Sequence, residues 1–193
     1  MPLFLILQGE IARKDSYNIM KTREKLIYGA RECVLQNGSL GASVKSIAKA
    51  AGVNHGLIHH YFGSKEQLYV ELIIQEAKRT RELFNSVKES GNIRSFLTDL
   101  IFTKSKLIRE LSALSKDSPR LEEEIKNFLI ERCRDVGELL NINSYTKQLM
   151  ITSSLLGLAL HSSIDPEIPV DEVVDSIMES ANNDQMEQTR FAV

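Results

Sequence analysis

Side chains that form directional hydrogen bonds are concentrated in one short segment of the chain, residues 54–61. The segment contains Asn54, His55, His59, His60 and Tyr61. An ordinary surface helix carries a mixture of Glu and Lys at such positions. Amide, imidazole and phenol groups both donate and accept hydrogen bonds, and imidazole also binds metals. The segment is therefore typical of a recognition surface or of a metal site.

A metal site would start from His55 and His59, which are four residues apart on a helix. No carboxylate or cysteine lies in the same segment to complete the ligand set that a bound metal needs. His161 and Asp165 have the same spacing and could form a general-base pair, but no nucleophile motif or glycine-rich phosphate loop accompanies them. We therefore expect no metal, no cofactor and no enzymatic activity.

The residues around this segment predict a helix-turn-helix, in which one short helix supports a second at a steep angle. Ser43 can cap the first helix, Gly52 permits the tight turn, and Asn54 can cap the second helix, which runs to about Phe62. The apolar residues that would hold the pair together are Ile47, Ala48, Val53, Ile58 and Phe62. The side chains of residues 54–61 would then face solvent on the second helix.

The rest of the chain also reads as helix. Its four prolines leave long stretches with helical apolar spacing. A first helix is predicted over about residues 22–36, with Thr22 as its N-cap and a buried stripe of Leu26, Ile27, Ala30, Cys33 and Val34. A long helix follows the capping pattern at Ser64, a second long helix follows residues 91–92, and Ser118-Pro119 marks another start. The predicted fold class is all-α.

A specific resemblance lies in the spacing of the helix-turn-helix residues. The chain contains Ile47-Ala48-x-Ala50-Ala51-Gly52-Val53-Asn54-x-Gly56-Leu57-Ile58-His59-x-Tyr61-Phe62-x-Ser64-Lys65-Glu66-x-Leu68. This pattern resembles the DNA-binding signature of the tetracycline-repressor (TetR) family of transcriptional regulators, over roughly residues 21–72. Three positions differ from the usual pattern of the family. Ser43 replaces the usual Thr, and Asn54 replaces a common Ser or Thr. His59 replaces the usual Tyr. Beyond residue 72 only the length and the helical character agree.

The resemblance implies a two-domain division and roles for individual residues. We expect an N-terminal extension over residues 1–20, a three-helix DNA-binding domain over 21–68 and a helical effector-binding and dimerisation domain over 69–193. His55 and His60 are expected near base edges in the major groove of double-stranded DNA. The residues expected to contact phosphates are Ser43, Lys45, Asn54, His59, Tyr61 and Lys65.

The family also implies a homodimer that reads a palindromic operator and is released from it by a small-molecule effector. Residues 144–163 are apolar on more than one side and must be covered all round, and residues 169–182 present an apolar stripe. These two helices are predicted to form the dimer interface. Phe84, Phe96, Phe102 and Phe128 are the predicted lining of the effector pocket.

Charge distribution supports the same division. The formal net charge of −2 gives no sign of a nucleic-acid binder. However, residues 1–80 contain eleven Lys and Arg against seven Asp and Glu, whereas residues 81–193 contain thirteen against nineteen. The N-terminal part is thus net positive by four and the remainder net negative by six. Lys and Arg that neutralise phosphates supply most of the sequence-independent affinity for DNA.

Three further expectations concern location and alternatives. Only two cysteines and no signal or anchor segment are evident, which favours a cytoplasmic protein with no membrane association. Met20-Lys21-Thr22-Arg23 resembles the usual start of this family, so residues 1–19 are either an upstream extension or an arm that reaches DNA. The alternative function is a helical protein-protein interaction scaffold that does not bind DNA.

Overall fold

The computed structural model describes residues 21–190, the side chains of residues 103 and 182–190 excepted. The expectations for residues 1–20 lie outside the described residues. Within residues 21–190 the regular structure is entirely helical, which confirms the predicted all-α class. None of the helices in this range is long and apolar enough to cross a membrane.

The described chain forms nine α-helices, with a π-helical turn at Leu100–Lys104 and a short 3-10 turn at Ser115–Asp117. Their bounds are α1 Thr22–Gly41, α2 Val44–Ala50, α3 Gly56–Phe62, α4 Lys65–Ser90, α5 Ile93–Asp99, α6 Ser105–Ser112, α7 Pro119–Leu139, α8 Tyr145–Ile164 and α9 Val170–Arg190. The chain divides into two compact units, and the first ends at Leu72, inside α4.

The first unit is built on the stripe of α1 that the sequence predicts. The five residues of that stripe are all at most 4% exposed, so the periodic apolar spacing correctly identified the buried face. The regular path of this helix ends before Gly38, which agrees with the predicted end near residue 36, because the φ of +71° at Gly38 is not helical. A short helical stretch to Gly41 follows the break and is included in α1.

Side-chain caps mark the predicted starts of several helices, but two of the predicted N-cap residues are wrong. Ser43 and Ser64 cap as predicted, because their hydroxyl oxygens accept from the backbone N–H of Ser46 and Gln67 at 3.1 and 3.0 Å. Thr22 is not the N-cap of α1: the cap position is Lys21, whose backbone N–H donates to the Glu24 carboxylate at 3.0 Å.

Asn54 is the second correction, because it lies one residue before the cap position of α3. That position is occupied by His55, whose side chain forms no capping hydrogen bond. The Asn54 side chain accepts from the Gly56 backbone N–H at 2.8 Å and so orders the turn that leads into the helix.

The second unit has a core formed by side chains from α4, α5, the π turn, α7, α8 and α9. Its members include Phe84, Phe96, Leu97, Val136, Leu155 and Val174. The single long helix predicted after residues 91–92 is wrong in one respect. It is divided into α5, the π turn and α6, because the backbone widens by one residue per turn at Leu100–Lys104.

The start of α7 was predicted correctly. Ser118 lies at the N-cap, its hydroxyl oxygen accepts from the Leu121 backbone N–H at 3.3 Å, and Pro119 occupies the first turn. The predicted span 144–163 corresponds to α8, whereas α9 extends beyond the predicted end at residue 182. The α8 and α9 helices contact each other, and α9 also contacts α5.

The α8 helix is only partly covered within one chain. Leu155, Leu158 and Ala159 are buried, but large apolar side chains on other sides are 44–76% exposed. These are Tyr145, Leu149, Met150, Leu160 and Ile164. The side chains that the structure describes thus do not cover this helix all round.

Candidate nucleic-acid interface

The α2–α3 pair forms the predicted helix-turn-helix. Between the two helices Gly52 has φ +61°, and the Val53 backbone N–H donates to the Ala48 carbonyl at 3.0 Å. Ile47, Ala48, Ile58 and Phe62 are buried as predicted, whereas Val53 is half-buried. The positive φ is the conformation that glycine adopts without steric cost.

A glycine on α1 holds α2 at close range, and the sequence interpretation missed it. A Cβ atom on Gly29 would lie 2.8 Å from the Ile47 carbonyl oxygen and 2.9 Å from the Ala51 backbone nitrogen. Real Cβ atoms essentially never make such contacts. The α1 and α2 backbones therefore touch at a point where any other residue would separate them, and an isolated Gly inside a helical pattern is the signal that could have revealed this.

Seven of the eight predicted DNA-binding residues are exposed on the first unit. Ser43 and Lys45 lie at the start of α2, Asn54 and His55 lie at the turn, and His59, His60 and Tyr61 lie on α3. On α3 the His60 and Tyr61 rings pack edge to face with their centroids 5.0 Å apart. These seven residues are exposed on or beside α2 and α3, and we call them the recognition face.

Lys65, the eighth residue, is half-buried and already bonded within the unit. Its ammonium donates to the Ala42 carbonyl at 3.3 Å and lies 5.6 Å from the centroid of the Tyr69 ring. An ammonium group carries three donors, so Lys65 keeps donors for a phosphate. Its position ties the start of α4 to the residue before Ser43.

Tyr69 holds the segment before Ser43 in place, a role that the sequence interpretation did not identify. Its hydroxyl donates to the same Ala42 carbonyl at 3.2 Å, and its side chain is 1% exposed. Burial, with a smaller contribution from Cys33, raises the pKa of Tyr69 to about 12. The neutral phenol therefore fixes the segment that leads into the Ser43 cap.

The four phenylalanines predicted to line an effector pocket are not brought together. Phe84 and Phe96 pack edge to face in the core of the second unit, with their centroids 6.0 Å apart. Phe128 is buried beside a small cavity, whereas Phe102 is 58% exposed. Phe102 is directed outward because it lies in the π turn, whose geometry a regular 3.6-residue pattern does not reproduce.

The cavity beside Phe128 lies among the π turn, α6, α7 and α8. Its volume is about 20 Å³ and its accessible surface is apolar, although Lys104, Ser105, Arg132 and Thr152 are among the residues that border it. A volume of this size holds about one water molecule. Leu100, Ile108 and Leu155 are among the apolar side chains that complete the wall.

Buried charges cluster around this cavity, and periodicity gave no indication of them. The Lys104 ammonium lies 2.7 Å from a carboxylate oxygen of Glu76. The Asp135 carboxylate lies 2.7 Å from both the Arg81 and the Arg132 guanidinium groups. Burial lowers the pKa of Arg132 and raises the pKa of Asp135, and the charges of the pair oppose both shifts.

Among the side chains that the structure describes, no group of three or more His, Cys, Asp or Glu is placed to hold a metal ion. His55 and His59 thus have no carboxylate or cysteine partner for a metal in this part of the chain. Both imidazoles are exposed and can form hydrogen bonds.

Known proteins share both the motif and the fold. Residues 26–72 match the family model of bacterial regulatory proteins, tetR family. The HTH-type transcriptional regulator UidR of Escherichia coli (strain K12) is 27% identical over 151 residues, which are 71% of this chain and 77% of UidR. The HTH-type transcriptional repressor AcnR of Corynebacterium efficiens is 36% identical over 72 residues, 37% of each chain.

The fold extends beyond the matched segment. A solved TetR transcriptional regulator from Legionella pneumophila superposes with a TM-score of 0.70, covers 84% of this chain and 98% of its own, and is 19% identical. At that identity the likeness concerns the fold. The arrangement of helices in the second unit is therefore shared even where the sequence has diverged.

Proposed function

The chain belongs to the tetR family and is a DNA-binding transcriptional regulator, not an enzyme, and from this premise we propose that it represses transcription by binding a palindromic operator as a homodimer. The observation that carries the proposal is the recognition face. It contains three exposed histidines and an exposed tyrosine. The supporting helix α2 is capped by Ser43 and packs closely against α1 at Gly29. We assign DNA binding to residues 21–68 and effector binding and dimerisation to residues 69–193.

Contacts to DNA divide into two kinds in this proposal. His55 and His60 read base edges in the major groove, which admits an α-helix and presents a distinct donor and acceptor pattern for each base pair. Ser43, Lys45, Asn54, His59, Tyr61 and Lys65 contact the phosphate backbone and fix the register of α3. The exposed Lys45 and the net positive charge of residues 1–80 support this division.

Regulators of this family bind operators as dimers, and we propose α8 and α9 as the dimer surface of this chain. Large apolar side chains on α8 are exposed, and a groove between α8 and α9 is lined by Met150, Ile151, Val173 and Ile177. A second copy would cover this surface by two-fold symmetry. Two recognition faces related in this way would match two half-sites about one helical turn of DNA apart.

Release by a small molecule completes the proposed function. An effector that prefers a spacing of the two recognition faces unsuited to the operator must weaken DNA binding, and DNA must weaken effector binding by the same factor. We also propose a cytoplasmic location, because the operator lies there. The effector would bind inside the second unit, where Phe128 borders the cavity described above.

Selection from randomised double-stranded DNA with the full chain tests the proposal. We expect enrichment of a palindrome, with an affinity that falls steeply as the salt concentration rises. Recovery of no palindrome at low salt would contradict operator binding, and recovery of a single half-site would contradict the dimer.

A further inference from the structure

The α3 helix is short, and two buried side chains hold it in the first unit. It spans Gly56–Phe62, and its buried side chains are those of Ile58 and Phe62. A helix of this length is not stable by itself, so its orientation depends on what its side chains contact. Phe62 is its last residue and directly follows His60 and Tyr61. The contacts of Phe62 therefore affect where those two side chains are placed.

A cationic side chain from α1 lies over the ring of Phe62. The Arg23 guanidinium is 5.2 Å from the ring centroid, a distance at which a cation is attracted to the face of an aromatic ring. The same guanidinium lies 2.6 Å from a carboxylate oxygen of Glu71 on α4. Arg23 thus contacts both α3 and α4 from α1, and all three residues belong to the first unit.

The preferences of a helix do not explain an arginine at this position. Arg23 lies in the first turn of α1, where the helix dipole favours acidic side chains and disfavours basic ones. It precedes Leu26 and Ile27 of the buried stripe by three and four residues, so it lies on the same side of the helix. Its side chain is 44% exposed, and exposed ion pairs contribute little to stability. A role in placing α3 accounts for the residue better than a role in stabilising α1.

Ring contacts continue from Phe62 to His60, which is proposed to read a base edge. The Phe62 and Tyr61 ring centroids are 6.5 Å apart. The Tyr61 and His60 centroids are 5.0 Å apart, with the two ring planes at 81°. Aromatic rings attract each other at such separations. A chain of contacts therefore connects Arg23, on another helix, to the imidazole of His60.

We propose that Arg23 is a positioning residue for α3 in DNA recognition. It holds the end of α3 by packing on the Phe62 ring, while Glu71 fixes the guanidinium from α4. Arginine suits this role because its planar guanidinium packs on an aromatic ring and still donates to a carboxylate. The inference rests on the proposed reading of DNA by the recognition face and adds a residue that acts on it through Phe62.

Loss of the Arg23 contacts should change how α3 is oriented and leave the fold intact. Without them, the orientation that fits the operator is occupied for a smaller fraction of the time, and the apparent operator affinity falls by that fraction. Binding to DNA of unrelated sequence depends mainly on charge. The ratio of operator affinity to non-specific affinity is therefore the quantity that should fall.

Two variants of the full chain that change the net charge in opposite directions test this inference by fluorescence anisotropy. Arg23→Met should lower the affinity ratio about fivefold, and Glu71→Ala should lower it in the same direction. Long-range charge effects cannot lower both, because one variant removes a positive charge and the other a negative charge. The double variant should lower the ratio no further than Arg23→Met alone, because both residues act through one contact.

Arg120→Met and Glu89→Ala are the matched controls. They remove the same charges at exposed positions of the second unit and should keep the wild-type ratio. Circular dichroism establishes which variants are folded at the assay temperature, and if Arg23→Met is not, Glu71→Ala decides by the same criterion. An unchanged ratio in a folded variant would overturn the proposal. If Arg23→Met weakened and Glu71→Ala strengthened binding to all DNA alike, Arg23 would be a phosphate contact and the proposal would again be wrong.

NMR spectra of the free protein give a second readout that needs no operator. The chain has four histidines, three on the recognition face and His161 on α8. Arg23→Met and Glu71→Ala should move the imidazole signals of His59 and His60 and leave that of His161 in place, and unmoved signals would contradict the inference. If no palindrome is recovered while these signals move, the role of Arg23 stands and the proposed repression is wrong. If a palindrome is recovered while signals and ratio stay as in the wild type, only the role of Arg23 is wrong.

Discussion

His60 is one of two residues on which the proposed reading of base edges depends. It is exposed on α3 beside Tyr61, whose ring it contacts edge to face. We predict that His60→Ala weakens binding to the selected operator by about 1–3 kcal/mol, because one base contact is lost. Specificity at that base pair should relax, while the slope of affinity against salt should remain unchanged, as measured by fluorescence anisotropy.

Two lysine variants are compared with His60→Ala: Lys45→Ala at a proposed phosphate contact, and Lys106→Ala as the control. Lys45→Ala should weaken binding to all sequences alike and lower the salt slope by about one, because Lys45 is assigned to a phosphate. Lys106→Ala removes the same charge at an exposed position of the second unit and should change neither. If His60→Ala instead lowered affinity for all sequences equally, His60 would be a phosphate contact and the assignment to base edges would be wrong.

Tyr69 gives a residue-scale prediction about stability. Burial raises its pKa from 10.0 to about 12, so the folded state favours the neutral phenol. The resulting stabilisation is complete below about pH 10 and is lost as the pH rises toward 12, a loss of roughly 2–3 kcal/mol. Urea unfolding at a series of alkaline pH values should show a shallower decline for Tyr69→Phe than for the wild type.

A second tyrosine serves as the control for this measurement. Tyr61 is 42% exposed on α3, so Tyr61→Phe should leave the alkaline decline as it is in the wild type. At neutral pH, Tyr69→Phe should cost about 1 kcal/mol, because the hydrogen bond to Ala42 is removed. An unchanged alkaline decline in Tyr69→Phe would show that other groups govern unfolding at high pH.

At the scale of elements, sequence patterns succeed where a local cause determines the structure. The α1 stripe, the caps at Ser43, Ser64 and Ser118 and the turn at Gly52 all follow from spacing or from the chemistry of neighbouring residues. Each of these features depends on a few neighbouring positions, so the local sequence is enough to predict it. The fold class and the helix-turn-helix could therefore be predicted.

Patterns fail where packing between distant residues decides the outcome. The close contact at Gly29 and the ion pair between Arg81 and Asp135 join residues that are distant in sequence. Apolar spacing treats Phe102 and Phe128 alike, although the structure exposes one and buries the other. A pocket formed by four elements likewise has no signature in any one of them.

Gly29→Ala tests the contact between α1 and α2. The added methyl group would lie 2.8 Å from a backbone carbonyl oxygen, and the backbone cannot rotate away as a side chain can. We predict a loss of about 1–3 kcal/mol in unfolding free energy, by analogy with overpacked cores, measured by thermal and urea unfolding. Because α2 packs against α3 and positions it, DNA affinity should fall as well.

Gln36→Ala is the control on the same helix. Gln36 is exposed, so its truncation should leave both stability and DNA affinity within about 0.5 kcal/mol of the wild type. Wild-type stability in Gly29→Ala would mean that α1 and α2 can separate without cost, and the role given to Gly29 would then be wrong.

At the scale of the whole molecule, charge is distributed unevenly along the chain. Residues 1–80 carry a net charge of +4 and residues 81–193 a net charge of −6. The net charge of −2 thus conceals a net positive N-terminal part, which attracts phosphates, and a net negative remainder, which repels them. The apolar side chains of α8 are exposed, and we propose that a second copy of the chain covers them.

Met150→Glu tests the proposed dimer surface. Met150 is 64% exposed on α8 and borders the groove between α8 and α9. In a two-fold interface the substitution would place two carboxylates, one from each chain, in an apolar contact, which is unfavourable. We predict a monomer in sedimentation analysis, with unchanged helix content and at least tenfold weaker binding to the palindrome, because each monomer then reaches only one half-site.

Phe102→Glu alters a similarly exposed apolar residue outside α8 and α9 and should stay dimeric. A dimeric Met150→Glu protein with wild-type operator affinity would exclude Met150 from the interface, and a monomeric Phe102→Glu protein would move the interface to the π turn.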